Sequence, residues 1–309
     1  METNDLLRNI INLPLISYSL AEEMLAGNFS SIFKGQGMEF DEARGYEPGD
    51  DIRSIDWNAS ARFARPFVKM YREERELTIL ILLDVSPSMH KGNFTRSDKS
   101  AQLRFCPYEQ ALVAAALIAF SAEHTGQQAG ALFFDKDIEK IFPPKKGRKS
   151  IMTIIMNALQ YQNNIQPRRS RSGSNIAAAL NGAQRILKKR SLVVVISDFF
   201  SIGWEQEMGV LCRKHDVIAI RICIPQELPF PGLITLEDPE TGVRIEAPAG
   251  MESFKESWST WNNERAAHWE SMCKKTGASY LELSTEADAP SSLMKFFGRQ
   301  SQFRYRKKS

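Results

Sequence analysis

The stretch Thr78–Ser88, TILILLDVSPS, decides how this chain folds. After Thr78, the next five residues are all apolar, which is typical of a β-strand that is covered on both faces. Asp84 follows directly, and Ser86 and Ser88 come next at alternate positions. The stretch therefore predicts a central strand that ends in a polar loop.

An apolar strand followed by a long helix recurs along the rest of the chain. Strands are predicted at Gln128–Phe134, Ile138–Phe142, Leu192–Ile196, Val217–Ile224 and Tyr280–Leu283, and Ile234–Glu246 predicts a β-hairpin inserted on the sheet edge. Helices are predicted at Tyr108–His124, Ser150–Tyr161, Asn175–Lys189, Glu205–Lys214, Phe254–Thr276 and Pro290–Phe297. Because strands alternate with helices, we expect an α/β fold with a doubly wound, mostly parallel sheet.

The N-terminal quarter of the chain differs from the rest. Leu6–Leu25 has apolar residues at helical spacing, and Phe67–Tyr71 predicts a strand within a polar, aromatic segment. This region is too short and too polar to form its own core. We therefore expect an N-terminal helix-plus-β layer at residues 1–76, a main domain at 77–300 and a basic tail at 301–309.

Charge and cysteine content argue against several functional classes. Lys and Arg total 40 against 37 Asp and Glu, so we expect no nucleic-acid partner. The four cysteines lack CxxC spacing, which indicates free thiols in a reducing compartment. The N-terminus is acidic and polar, and the longest apolar run, Ala111–Phe120, is about half of a bilayer span. These features predict a cytoplasmic protein that does not span a membrane.

Three polar loops are expected to meet at one edge of the sheet, where ligands bind in open α/β folds. The first loop follows one buried strand, Asp198 follows another, and Ser174 precedes the helix that leads into the second. A buried carboxylate is costly without a partner, and Mg²⁺ favours oxygen donors with only one or two carboxylates. We therefore predict a Mg²⁺ site, with Mn²⁺ or Ca²⁺ as alternatives, formed by Asp84, Ser86, Ser88, Ser174 and Asp198.

The order of these residues resembles the metal-ion-dependent adhesion site of von Willebrand factor A domains. The resemblance rests on DVSPS at 84–88, GSN at 173–175 and ISD at 196–198, and it covers the chain from about residue 77 onward. It implies that the two serines of the first motif ligate the metal directly, with direct or water-mediated contacts from the two aspartates. The third-loop ligand is usually threonine in that family, so Ser174 keeps the hydroxyl and lacks the methyl group.

Residues before the central strand resemble the signature of a bacterial family, domain of unknown function 58. The matching segments are GMEFD at 37–41, YEPGDD at 46–51 and IDWNASAR at 55–62. Members of this family have a von Willebrand factor A-like domain and are typically encoded beside a MoxR-type AAA+ ATPase. Many members carry N-terminal membrane helices, and this sequence resembles those without them.

The resemblance implies a non-enzymatic adaptor or co-chaperone-like role. One metal position stays open and is filled by an Asp or Glu of the ATPase or of a client protein. Arg168, Arg169 and Arg171, in the loop leading to Ser174, could add a positive rim that steers an acidic partner. The same arginines could equally be solvated loop charges.

Other interpretations of these residues stay open at this point. A haloacid-dehalogenase-like phosphatase also ends two buried strands in aspartate, but its general acid would stand where Ser86 is. A structural scaffold without metal-dependent docking is the main alternative, and Ser174 could also cap the following helix.

His90 is predicted to be an exposed loop residue. Packing in the core or between layers is predicted for Trp57, Trp258, Trp261 and Trp269.

Overall fold

The structure of this protein is a computed structural model. It describes residues 19–20, 38–48, 50–51, 55–63, 65–73, 77–90, 106–163, 173–224, 233–237, 243–248 and 250–305. The helix predicted over Leu6–Leu25 falls almost entirely outside the described residues, as does the loop with Arg168, Arg169 and Arg171.

The secondary structure follows the predicted alternation of strands and helices. In chain order, the elements are β1 (Met38–Gly45), α1 (Trp57–Phe63), β2 (Phe67–Glu73), β3 (Thr78–Asp84), α2 (Pro87–His90), α3 (Pro107–His124), β4 (Gln128–Phe134), β5 (Ile138–Lys145), α4 (Arg148–Asn163), α5 (Ile176–Ile186), β6 (Leu192–Ser197), α6 (Glu205–Lys214), β7 (Asp216–Cys223), β8 (Leu233–Glu237), β9 (Arg244–Pro248), α7 (Glu252–Thr276), β10 (Ser279–Ser284) and α8 (Ala289–Tyr305). Most helix ends lie within two residues of the predicted ones, and the largest differences are that α5 stops before Lys189 and that α8 continues past Phe297 into the predicted tail.

Six strands form the central sheet, in the order β10-β7-β6-β3-β4-β5. All neighbours pair in parallel except β4 and β5, which are antiparallel. β3 and β6 lie in the middle, and every residue of β6 is buried. The predicted mostly parallel sheet is therefore confirmed.

Helices cover both faces of this sheet, as a doubly wound fold requires. On β3, Ile79 and Ile81 belong to a core with α3, α4 and α8, whereas Leu80 and Leu82 belong to a second core with α5, α6 and α7. Alternate strand residues point to opposite faces, so each central strand must be apolar throughout. This is the physical origin of the continuous apolar runs in the sequence.

The direction of winding changes between β3 and β6. From β3 the chain adds β4 and β5 on one side, and from β6 it adds β7 and β10 on the other. The loops after β3 and β6 therefore leave the sheet in diverging directions and open a crevice at its carboxyl edge. Asp84 ends β3 and Asp198 follows β6, so both aspartates lie at this crevice.

The segment that carries the family signature begins in β1, which pairs with β2 in a small antiparallel sheet. Its acidic residues have structural contacts, because Asp50 pairs with Arg44 at 2.6 Å and Asp56 accepts hydrogen bonds from the first amides of α1. No residue of α1 is buried, and Trp57 is 70% exposed. The prediction that Trp57 packs in the interior is therefore wrong.

The predicted hairpin exists, as antiparallel β8 and β9, but its position is not the predicted one. The two strands form a sheet of their own and do not extend the central sheet. At the β5 edge, Pro143 and Pro144 have no N–H groups to offer, which disfavours pairing with a further strand. Within the described part of the chain, no helix has the length and apolar character needed to cross a bilayer.

Candidate metal centre

The loop after β3 folds around the Asp84 carboxylate. Asp84 is completely buried, and its Oδ1 accepts a hydrogen bond of 2.9 Å from the Ser86 amide. This contact turns the chain so that Ser86 and Ser88 project on the same side, with their Oγ atoms 3.0 Å apart. Pro87 then begins the short helix α2, a position where its missing N–H is not needed.

Two further hydroxyl groups converge on the second oxygen of Asp84. Ser174 donates to Oδ2 at 2.8 Å, and Ser197 donates to the same atom at 2.6 Å. Asn175 caps α5 by accepting a hydrogen bond from the Ala178 amide, so the alternative that Ser174 is the helix cap is wrong. The sequence prediction missed Ser197, whose only signal is a polar residue at the end of an apolar strand.

Asp198 completes the group of predicted residues. It is buried, it accepts a side-chain hydrogen bond from Ser88, and its Oδ1 accepts one of 3.0 Å from the Phe200 amide. Two arginines attract it electrostatically, Arg265 and Arg221. The structure thus brings all five predicted side chains together at the crevice between β3 and β6.

Burial disfavours the ionised form of both aspartates, and Asp198 further disfavours the ionised form of Asp84. Burial, followed by repulsion from Asp198, raises the pKa of Asp84 to about 7, although Ser197 and Ser86 oppose the shift. Burial also raises the pKa of Asp198, against the opposing effects of Ser88, the Phe200 amide and the two arginines. Ionising Asp84 therefore costs more free energy than ionising an exposed aspartate, and a bound cation would offset this cost.

The donor set suits a small, hard cation. The Ser86 and Ser88 oxygens are 3.0 Å apart, which matches adjacent corners of an octahedron with Mg–O bonds of about 2.1 Å. Among the described residues, no group of three or more His, Cys, Asp or Glu side chains is placed to hold a metal ion. A metal at this edge would therefore depend on hydroxyl ligands, which favours Mg²⁺ over zinc.

Two arginines near the site were not predicted. Arg221 stands beside Ser197 in the register of β6 and β7, is buried, and lies 3.5 Å from Glu282. Arg265 comes from α7, and its Nη2 lies 3.5 Å from the Phe199 carbonyl oxygen. A charged residue within the apolar run of β7 was a signal for Arg221, whereas nothing local marked Arg265.

His90, at the end of α2, is not the exposed loop residue that was predicted. Its ring packs against Tyr108 with centroids 4.3 Å apart, and burial lowers the pKa of His90 to about 4. Its Nδ1 is buried and has no hydrogen-bond partner among the described residues. The imidazole is therefore neutral at physiological pH.

The fold and the clustered residues define a von Willebrand factor A-like α/β domain. The chain belongs to the family described as "Protein of unknown function DUF58", whose profile matches residues 42–268. Uncharacterized proteins of Mycobacterium tuberculosis and Mycobacterium bovis are each 29% identical to it over 282 residues, which cover 88% of this chain and 83% of each relative.

Solved structures of low sequence identity are also similar to this chain. The conserved hypothetical protein BatB from Bacteroides thetaiotaomicron has a TM-score of 0.44 and 17% identity, covering 73% of this chain and 99% of that chain. The SpRpn10 VWA domain has a TM-score of 0.37 and 11% identity, covering 71% of this chain and 93% of that chain.

Removing the Ser174 hydroxyl is expected to weaken Mg²⁺ binding by roughly tenfold or more, because Ser174 holds Asp84 in place and is a candidate ligand. Titration calorimetry of Ser174→Ala would measure the change. Ser174→Thr is the matched control, since it keeps the oxygen and should bind with affinity close to that of the natural chain. Equal affinity of the alanine variant would exclude this hydroxyl from the site.

Proposed function

We propose that this chain is a metal-dependent protein-binding module, in which Mg²⁺ captures an Asp or Glu side chain of a partner. The observation that carries the proposal is the meeting of two buried carboxylates and three serine hydroxyls at the switch point of the sheet. The ion would be held by Asp84, Ser86, Ser88, Ser174 and Asp198.

The chemistry of these groups supports capture of a carboxylate. Ser86 and Ser88 offer neutral oxygens, so a divalent ion bound there retains much of its positive charge. Asp84 orients the surrounding hydroxyl and amide groups through its two oxygens. When bound, the ion supplies a position at which an anionic oxygen of the partner is strongly favoured.

We further propose that the module binds without catalysing a reaction. The Ser86 hydroxyl contacts Ser88, and the Ser88 hydroxyl contacts Asp198, so in the contacts that the structure describes neither serine has a histidine as its general base. A phosphatase of the haloacid-dehalogenase type would require a carboxyl group in place of Ser86. The serine at this position argues against that activity.

The partner that we propose is a MoxR-type AAA+ ATPase, or a client protein that the ATPase remodels. The chain belongs to the family, and the family resemblance described above implies a gene neighbourhood with such an ATPase. We place the interaction in the cytoplasm, where the ATPase has nucleotide and where the four free cysteines stay reduced.

Binding of the purified MoxR-type ATPase from the same genome is the test. We expect Asp84→Ala to weaken binding by at least tenfold in the presence of Mg²⁺, as measured by biolayer interferometry. The comparison uses a variant because a chelator would also remove Mg²⁺ from the nucleotide of the ATPase. Asp137→Ala is the matched control, since Asp137 is an exposed aspartate in a neighbouring loop.

Unchanged binding of the Asp84→Ala variant would contradict metal-dependent docking. The structural scaffold would then be the better account, because a scaffold needs the fold and not the ion. Absence of binding by the natural chain would exclude the ATPase as partner and leave an acidic client as the candidate.

A further inference from the structure

An exposed apolar surface borders the candidate metal centre, and we call it the rim patch. It consists of Phe200, Ile202, Trp261 and Arg265. Phe200 is 52% exposed, Trp261 is 43% exposed and Ile202 is 92% exposed. Phe200 and Ile202 follow Asp198 in the loop between β6 and α6, whereas Trp261 and Arg265 lie about one turn apart on α7. Clustered exposed apolar groups of this kind mark interaction sites.

Arg265 joins the rim patch to the metal centre. Its guanidinium carbon lies 3.6 Å from the centre of the Phe200 ring and 4.8 Å from the centre of the Trp261 ring. The same guanidinium attracts the Asp198 carboxylate. The rim patch therefore combines a positive charge beside the candidate ligands with an apolar surface farther out.

The backbone holds this surface in place. Phe199 has a φ of +53°, which is strained for a residue other than glycine. Its side chain is buried, and its ring centroid lies 5.4 Å from that of Trp204 and 5.6 Å from that of Trp269. The next residue, Phe200, is exposed, and its amide is tied to Asp198 Oδ1. A surface that is already ordered loses little entropy when it binds.

We propose that the rim patch binds a large apolar side chain of the same partner segment whose acidic residue reaches the metal. The recognised motif would then be an Asp or Glu with a Leu, Ile, Met or Phe within about three positions. Phe200 is only two residues from Asp198, so the rim patch begins close to the candidate metal position. Because an extended chain spans about 3.3–3.6 Å per residue, a partner segment needs only a few residues to cover this distance. The inference rests on the function proposed above and specifies the partner for that same site.

Charge complementarity favours an acidic partner segment over a second copy of this chain. A symmetric contact between two rim patches would bring the two Arg265 guanidinium groups towards each other. An acidic segment instead places its carboxylate beside both the ion and Arg265 and leaves its apolar neighbour for Phe200 and Ile202. Self-association and binding to an anionic bilayer are therefore kept as outcomes of the test.

Two probe peptides test the proposal. Both are polar, flexible and labelled with fluorescein, and both contain one glutamate; one has phenylalanine two positions after it and the other has serine there. Fluorescence anisotropy with Mg²⁺ would compare the natural chain, Ile202→Ser and Asp84→Ala. Ile202→Ser suits the test because a side chain that is 92% exposed has little part in folding.

We expect the phenylalanine peptide to bind about tenfold more tightly than the serine peptide, because it buries an aromatic side chain. Ile202→Ser should remove a large part of this advantage and leave the affinity for the serine peptide unchanged. Asp84→Ala should weaken both peptides. Trp261→Ala is a second variant, on α7, and it should also reduce the difference in affinity between the phenylalanine peptide and the serine peptide.

Several results would overturn the inference, and they differ from failure of the proposed function. Equal Mg²⁺-dependent affinities for the two peptides would reject the rim patch and leave metal-dependent docking intact. An advantage that survives in Asp84→Ala would show apolar binding that is independent of the metal. Failure of both peptides to bind would count against both proposals. Dimerisation, or binding to phosphatidylserine vesicles, that Ile202→Ser abolishes would assign the rim patch to another occupant.

Discussion

Replacing Asp84 by asparagine is expected to stabilise the metal-free protein at pH 8 and to abolish its stabilisation by Mg²⁺. Burial and repulsion raise the pKa of Asp84 from 3.8 to about 7, so ionising this group disfavours the fold. Asparagine has nearly the same shape and no charge, and the hydroxyl groups of Ser174 and Ser197 can rotate to accept hydrogen bonds. The gain should be about 2–4 kcal/mol, or a rise in Tm of roughly 5 °C or more.

The sign of the pH dependence follows from the direction of the shift. A group whose pKa is raised in the folded state contributes stability that is fully present below the unfolded pKa and is lost as the pH rises through the folded pKa. For Asp84 this window extends from about pH 4 to pH 7. The advantage of Asp84→Asn should therefore be large at pH 8 and small at pH 4.

Thermal unfolding in chelator and in Mg²⁺, at both pH values, would measure these effects. Asp137→Asn is the matched control, because it makes the same chemical change at an exposed aspartate and should alter neither Tm nor the response to Mg²⁺. Equal stabilisation of Asp84→Asn and the natural chain by Mg²⁺ would place the ion elsewhere. Destabilisation of Asp84→Asn in chelator at pH 8 would show that the charged carboxylate already favours the metal-free fold.

Gly130→Ala is expected to destabilise the protein by about 3 kcal/mol or more, the largest effect that we expect away from the site. A Cβ atom at this position would lie 2.6 Å from the Phe142 carbonyl oxygen and 2.7 Å from the Pro144 nitrogen. Both atoms belong to the backbone of β5, so no side-chain rotation relieves the overlap. Denaturant unfolding would measure the loss, with a large fall in the midpoint concentration expected.

The cause of this close approach is a bulge between β4 and β5. Ala129 pairs with Lys145 and Ala131 pairs with Phe142. Two steps along β4 therefore correspond to three steps along β5, so β5 has one extra residue in this interval. Gly209→Ala is the control, because a Cβ there has only an ordinary contact of 3.8 Å with Thr276. Since Gly209 lies within α6, alanine should stabilise the helix by up to about 1 kcal/mol. Similar losses for the two variants would contradict the steric argument.

The order of elements was predictable because burial on both faces leaves a direct mark on the sequence. β3 and β6 read as uninterrupted apolar runs, and the helices between strands have apolar residues at their own period. The positions of Asp84 and Asp198, directly after two such strands, were enough to predict that both side chains would lie at the same edge of the sheet. The β1 strand and the exposure of Trp57 were not predictable in this way, because a small two-stranded sheet and a helix without buried residues leave no such periodic signal.

The sequence by itself determined the fold class, the buried strands and the five residues that meet at the crevice. Only the tertiary structure decided which other groups reach them. Ser197 contacts Asp84 across 113 residues of chain, and Arg265 arrives from α7 to lie over the Phe200 ring and to attract the Asp198 carboxylate. Local periodicity records whether a residue is buried, whereas its neighbours depend on strand order and helix placement, which only the folded chain specifies.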